Sequence, residues 1–232
     1  MDRRHVRAKG VAEGFAVIFD LDGTLVDSAP DLHRAANALM AQIGAPAFQL
    51  AEITSFIGNG VPVLVERVMA ARNITAERHT ELVAEFLAIY EADSTALTRP
   101  YPGVEAALDR LARDGAALGI CTNKPERPTR DILEALGLLD RFGAIVGGDS
   151  LSLRKPDPAP LLRAAEQLGA VNCVFVGDSE IDGETAARAE IPFVLFTEGY
   201  RKMPVRKIPH RATFSNFDAL AEMIRQVVSR TE

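Results

Sequence analysis

Apolar residues run without a break from Phe15 to Phe19 and stop at two acids, Asp20 and Asp22. The run is short and rich in β-formers, so it predicts a strand buried on both faces of a parallel sheet. Unpaired carboxylates cannot extend such a strand, because burying them alone is costly. They mark its end. A polar, proline-marked break follows at Asp27-Ser28-Ala29-Pro30, and from Asp31 to Ser94 the spacing is helical throughout. Leu32, Ala35, Ala36, Leu39 and Ile43 form one stripe. Leu82, Val83, Phe86, Leu87, Ile89 and Tyr90 form another, with Thr75 as the expected N-cap of that helix. Arg99-Pro100-Tyr101-Pro102-Gly103 ends the block.

Beyond it the period alternates. Short apolar runs at Ala116 to Cys121, Ala144 to Gly147, Cys173 to Gly177 and Phe193 to Phe196 predict strands. Helical stretches near Val104–Arg113, Pro128–Leu136, Pro158–Leu168 and Gly183–Ala189 separate them. Asp157-Pro158 has the pattern of an N-cap followed by proline at the first helical position. Such alternation implies βαβ units and a doubly wound parallel sheet with helices on both faces. The expected organisation is therefore an α/β core of residues 1–27 and 99–232, interrupted by an all-α insertion of residues 28–98.

Composition narrows the class. A chain of 232 residues with 47% hydrophobic and 25% charged residues can bury one large core plus a smaller appendage. The net charge of −6 argues against nucleic acid or an anionic membrane as partner, since phosphate backbones favour a basic face. No apolar stretch approaches the ~18 residues of a membrane span. The basic start, Met1 to Lys9, leads into no secretory apolar region and is expected to be a frayed arm. Cys121 and Cys173 fall in predicted core strands without metal-type spacing, as expected of reduced, buried thiols in a cytoplasmic protein. The four histidines, His5, His33, His79 and His210, show no ligand spacing either.

Each predicted strand leads into polar residues. The first gives Asp20-Leu21-Asp22-Gly23-Thr24, the second Thr122-Asn123-Lys124-Pro125, and the fourth Gly177-Asp178-Ser179-Glu180-Ile181-Asp182, while Lys155-Pro156 comes soon after the third. Open α/β sheets bind ligands at the carboxyl ends of their strands. Carboxylates, a hydroxyl with nearby backbone N–H groups and an ammonium, gathered there, suit phosphoryl transfer, which needs in-line positioning and charge neutralisation.

In these four ordered motifs the chain resembles the haloacid dehalogenase superfamily, from about Phe15 to Ala189. Ile57-Gly58-Asn59-Gly60 and Tyr101-Pro102-Gly103-Val104 look like those of its phosphoglycolate phosphatases. The resemblance implies a magnesium-dependent phosphatase with a small phosphorylated substrate, most readily 2-phosphoglycolate. Asp20 would be the nucleophile that becomes an aspartyl-phosphate, and Asp22 the general acid and later base. Mg²⁺ would be held by the Asp20 carboxylate, the Asp22 backbone carbonyl and Asp178. Thr122 and Asn123 would hold the phosphate oxygens, Lys155 would screen Asp20 from the incoming dianion, and Asp182 would act on Lys155 from behind.

Rival readings differ in their residue inventory. A phospho-acceptor signalling module resembles this pattern but pairs adjacent acids, whereas here they alternate. Dehalogenases lack the second acid. Phosphonoacetaldehyde hydrolases need a cap lysine, and none occurs from Ser28 to Leu97. β-Phosphoglucomutases keep both acids and add cap cations for a second phosphate; the insertion offers Arg34, Arg67, Arg72 and Arg78. An inorganic pyrophosphatase or a broad sugar-phosphate phosphatase also fits. Gly58, Asn59 and Gly60 precede Val61-Pro62, a proline at a helix start, and free N–H groups there would suit a substrate carboxylate. Otherwise these glycines simply turn the chain. The oligomeric state is not readable from the sequence.

Overall fold

A computed structural model describes residues 14–229, so the basic stretch Met1–Lys9 lies outside the described residues. Six parallel strands form the main sheet: β1 (Phe15–Phe19), β4 (Ala117–Cys121), β5 (Ala144–Val146), β6 (Asn172–Gly177), β7 (Phe193–Phe196) and β8 (Ala212–Phe214), in the order β5-β4-β1-β6-β7-β8. All five residues of β1 are buried, as its unbroken apolar run requires. Alternate side chains serve opposite faces. Phe15, Val17 and Phe19 join the cluster under α5 (Val104–Arg113) and α9 (Leu220–Ser229). Ile18 joins Leu161 and Ala164 of α7 (Ala159–Gln167) and Ala186 of α8 (Glu180–Arg188). The chain runs outward from β1 to β4 and β5, then returns to β6 on the other side. This reversal is the position at which such sheets open a crevice.

The inserted block forms four helices: α1 (Ala29–Gln42), α2 (Leu50–Phe56), α3 (Val61–Ala71) and α4 (His79–Glu91). They have their own apolar cluster, including Leu32, Leu39, Met40, Val65, Phe86 and Tyr90. The chain leaves the core along β2 (Val26–Asp27) and re-enters along β3 (Arg99–Pro100), and these two segments pair antiparallel, Val26 with Pro100 and Asp27 with Arg99. Asp31 secures the joint. Its buried Oδ2 accepts from Leu97 N at 3.0 Å, Thr98 N at 2.8 Å and Thr98 Oγ1 at 2.8 Å.

Several local expectations shift. Thr75 makes no side-chain cap and precedes a 3-10 turn, Ala76–Arg78, so α4 starts at His79. Asp157 does accept from Ala159 N at 2.9 Å, but Pro158 is the capping position and Pro160 lies inside the first turn. The predicted helix at Gly183 starts earlier, at Glu180, because Ser179 and Asp182 form a reciprocal capping box. The helix expected from Pro128 likewise starts at Glu126 and forms α6 (Glu126–Ala135). Strand β8 and helix α9 follow with no counterpart among the sequence expectations. Cys121 is buried, Cys173 half-buried, and both are free thiols.

Candidate active site

Backbone pairing carries each motif to the sheet edge. Asp20 N donates to Val176 O at 2.9 Å and Thr122 N to Val146 O at 3.0 Å, so both residues extend the ladder just past their strands. Past Asp22 the chain must turn back at once. Gly23 does so at φ 84°, where a Cβ would come within 2.7 Å of both Asp178 Oδ2 and the Tyr200 ring.

Asp20, Asp178 and Asp182 converge, with one carboxylate oxygen from each lying within 4.8 Å of the others. Lys155 stands among them, its Nζ 2.9 Å from Asp20 Oδ1 and 2.6 Å from Asp182 Oδ1. Asp182 Oδ2 accepts from Ser179 N at 3.0 Å and Ser179 Oγ at 2.6 Å. Both oxygens of Asp182 are thus committed. Asp178 accepts from Thr24 Oγ1 at 2.8 Å and Tyr200 N at 2.5 Å. Burial raises the Asp20 carboxyl to about 6 despite the pull of Lys155, and burial with the neighbouring Asp182 raises Asp178 well above the ordinary range. Burial pulls the Lys155 ammonium down, but Asp182 and Asp20 outweigh it and hold it above its usual value.

Ionised together, the three carboxyl groups against one ammonium would leave two negative charges in a buried site, so Asp20 and Asp178 hold their protons more tightly than usual. Asp20 Oδ1 is buried without a hydrogen bond, although Lys155 pairs with it electrostatically. Crowded hard oxygen donors, carrying more negative charge when ionised than Lys155 alone offsets, fit a divalent cation of the magnesium type.

Asp22 faces a cavity instead. Its Oδ1 accepts from Ser28 Oγ at 2.5 Å, and both its oxygens lie 3.3 Å from Lys124 Nζ. The cavity, about 40 Å³, is lined by Asp20, Asp22, Thr122, Asn123 and Lys124 from the core. Leu32, Ile57, Gly58, Gly60, Val61 and Leu64 close it from the insertion. Asn123 ties the halves together, its Nδ2 donating to Gly58 O at 3.2 Å and Lys155 O at 3.0 Å. Asn123 Oδ1 is a second buried acceptor without a partner. Of the three loop residues singled out in the sequence, Gly58 and Gly60 line the cavity, whereas Asn59 does not; its Oδ1 accepts from Arg67 at 2.8 Å.

The model of the haloacid dehalogenase-like hydrolases matches residues 17–196. The chain belongs to this family. Among its relatives, a phosphoglycolate phosphatase of Cereibacter sphaeroides is 54% identical over 215 residues, covering 92% of this chain and 99% of the relative. A phosphoglycolate phosphatase of Rhodobacter capsulatus is 41% identical, covering 90% and 96%. A crystal structure titled as a predicted phosphoglycolate phosphatase from Haemophilus somnus 129PT superposes with a TM-score of 0.85 at 30% identity, covering 90% of this chain and 97% of that one. The chain is thus an enzyme, a phosphatase of the haloacid dehalogenase type.

Sequence reasoning passed over several residues at the site. Lys124 was visible beside Thr122-Asn123, and a lysine at a strand end is a signal in itself. Tyr90 read as a core aromatic, yet its hydroxyl accepts from Lys124 Nζ at 2.7 Å. Tyr200 carried no signal. From its loop after β7 it reaches Asp178 through its backbone, while its hydroxyl donates to Asp27 Oδ1 at 2.6 Å and accepts from Ser28 N at 2.8 Å.

Proposed function

We propose that this phosphatase hydrolyses 2-phosphoglycolate to glycolate and phosphate through an aspartyl-phosphate on Asp20, with Mg²⁺ held by Asp20, Asp178 and the Asp22 carbonyl. The observation that carries the reading is Asp20 itself. Its buried carboxylate has one oxygen without a hydrogen bond and sits beside Lys155, on the wall of a cavity shared with Asp22, Thr122 and Asn123. Mg²⁺ in the site supplies charge neutralisation for the phosphoryl oxygens.

The residues divide the work. Asp20 attacks phosphorus, the phosphorus–oxygen bond to the organic group breaks, and the departing alkoxide takes the proton of Asp22. Asp22, now a carboxylate, removes a proton from the water that splits the acyl phosphate. This returns Asp20 and releases phosphate. Thr122 and Asn123 hold the oxygens that do not react. Lys155, oriented by Asp182, lets a dianion approach a carboxylate.

The cavity supports a small organic group. At about 40 Å³ it has room for roughly three waters. A mutase reading loses ground on the cap cations, none of which lines the cavity. Arg34 is held by Asp31 and Asp93, Arg67 by Phe56 O and Asn59, Arg72 by Pro46 O and Ala47 O over the Phe48 ring, and Arg78 by Glu81.

No described helix is long and apolar enough to cross a membrane. We place the enzyme in the cytoplasm with a small phosphorylated metabolite as its partner, rather than nucleic acid or a membrane surface. The test is phosphate release from a panel of phosphorylated metabolites and pyrophosphate, with and without Mg²⁺, following glucose 1-phosphate for isomerised product as well. Phosphoglycolate should be the preferred substrate and chelation should stop turnover. Asp20→Asn should abolish release with the fold intact, and Asp22→Asn should accumulate phospho-enzyme. Mg²⁺-independent turnover, or substantial activity in Asp20→Asn, refutes the mechanism.

A further inference from the structure

We infer that Lys124 is the specificity cation of this enzyme: its ammonium receives the carboxylate of the substrate's organic group. The inference rests on the phosphoglycolate reading above and names the residue that selects for it.

The argument starts from an inventory. A two-carbon acid brings a second anionic group into the cavity beside its phosphate. The residues that close the cavity from the insertion are apolar or glycine: Leu32, Ile57, Gly58, Gly60, Val61 and Leu64. A carboxylate buried against them alone is strongly disfavoured. Among the described residues that line the cavity, Lys124 is the sole cation. Lys155 stands beside Asp20, already shared with Asp182, on the metal side of the site.

Geometry leaves Lys124 free for this task. The residue is 6% exposed, so its charge must be met by named partners. An ammonium has three N–H donors. One goes to the Tyr90 hydroxyl at 2.7 Å, and one is shared between Asp22 Oδ1 and Oδ2, both at a long 3.3 Å. The third has no acceptor among the described residues and is left for the cavity that Lys124 lines. The N-terminus of α3, at Gly60 and Val61, forms part of the same wall, and its dipole adds to the positive field.

The placement also joins specificity to chemistry. A carboxylate on Lys124 sits next to Asp22, so the carbon chain between carboxylate and phosphate brings the leaving oxygen toward that acid. Tyr90 comes from the insertion while Lys124 and Asp22 belong to the core, so each side of the seam supplies one of the groups that hold the cation.

The experiment compares 2-phosphoglycolate with its neutral isostere, the phosphate ester of glycolamide, in the wild type, Lys124→Met and Tyr90→Phe. The wild type should prefer the acid in kcat/KM. Lys124→Met should cut kcat/KM for the acid by roughly 30-fold or more, the scale on which truncating one side of a buried charge pair acts. The amide should suffer several times less, so the preference collapses. Inhibition by glycolate of p-nitrophenyl phosphate turnover should weaken at least tenfold in the same variant. Tyr90→Phe keeps the charge and covers the case of a Lys124→Met protein that does not fold; it should lower the preference for the acid several-fold. A wild type without preference for the acid overturns the substrate reading and this assignment together. A wild type that prefers the acid, with variants that lose both substrates equally, overturns the assignment alone.

Discussion

Asp182→Asn separates two things a buried carboxylate can do at this site: bind the cation, or hold the lysine. In the ion-free protein the electrostatic terms oppose one another. Lys155 Nζ lies 2.6 Å from Asp182 Oδ1, an attraction of about 6 kcal/mol at an effective dielectric of ~20. The oxygens of Asp20 and Asp178, each no more than 4.8 Å away, repel Asp182 to the extent that they are ionised, by at least about 3.5 kcal/mol for a full charge on the same scale. The repulsions therefore offset a large part of the attraction. What the carboxamide loses is geometry. Its oxygen can still accept from Ser179, but its nitrogen then faces the ammonium of Lys155, donor against donor. A loss of about 2 kcal/mol follows, which for a chain of this size lowers the melting temperature by about 4–8 °C.

Catalysis should suffer more than stability. With Lys155 released from one side and one counter-charge gone from the cation site, both kcat and Mg²⁺ affinity should fall about 10- to 100-fold. The assay is a Mg²⁺ activation curve at saturating substrate, paired with calorimetric melting in chelator. Three results would refute the reasoning. Total loss of Mg²⁺ binding would make Asp182 a direct ligand, against the commitment of both its oxygens. A fall in ion-free melting beyond about 15 °C would mean the ion pair dominates the repulsions. Activity and Mg²⁺ response within twofold of wild type would leave Lys155 needing no support.

Two further predictions concern protons and the seam between core and insertion. Mg²⁺ requires ionised ligands, and burial holds Asp20 at about 6, so Mg²⁺ affinity should weaken as pH falls through 6. Because that folded-state value is raised, the native protein binds more protons than the unfolded chain between about pH 4 and 6. Ion-free stability should therefore be lost as pH rises through that window, and titration calorimetry giving equal affinity at pH 5.5 and 7.5 would contradict both statements. Lys202 Nζ donates to Ile57 O at 2.9 Å, a core-to-insertion contact beside the Asn123–Gly58 bond. Lys202→Met should raise KM several-fold with kcat within twofold and stability within about 1 kcal/mol; an unchanged KM in steady-state kinetics would remove Lys202 from the latch.

The fold was legible where the hydrophobic period was long or unbroken. Phe15–Phe19 could only be a doubly buried strand, and the stripe through Leu82, Phe86 and Tyr90 does face the core of the insertion. Strand β8 escaped because Ala212-Thr213-Phe214 is broken by a polar residue and only partly buried, whereas the equally short β5 is wholly apolar and buried. The acids and Lys155 could be placed near one another because parallel strands bring their carboxyl ends to one edge. What the sequence could not show was contact between elements. Tyr90 belongs to an apolar stripe by spacing, and only tertiary packing turns its hydroxyl toward Lys124. Asn59 lies between two cavity-lining glycines, yet its side chain turns away, because Arg67 one helical face further on supplies a donor. Tyr200 lies far along the chain from every group it touches.

These long-range contacts explain why the insertion lies where it does. Asp22 and the start of α1 are a few residues apart, so Ser28 can hydrogen-bond Asp22 while its own backbone N–H is held by the Tyr200 hydroxyl. The backbone N–H of the same tyrosine donates to Asp178, one of the three clustered acids. Asp27, beside the paired joint of β2 and β3, accepts the hydroxyl proton of Tyr200. The joint, Asp22 and Asp178 therefore share one short network of hydrogen bonds, these four at 2.5–2.8 Å. Networks of this kind hold their members to one geometry, since a shift at any bond leaves a buried polar group unpaired. An insertion placed after any other strand would still bury its own helices, but its angle to the core would not be read out at Asp22 and Asp178.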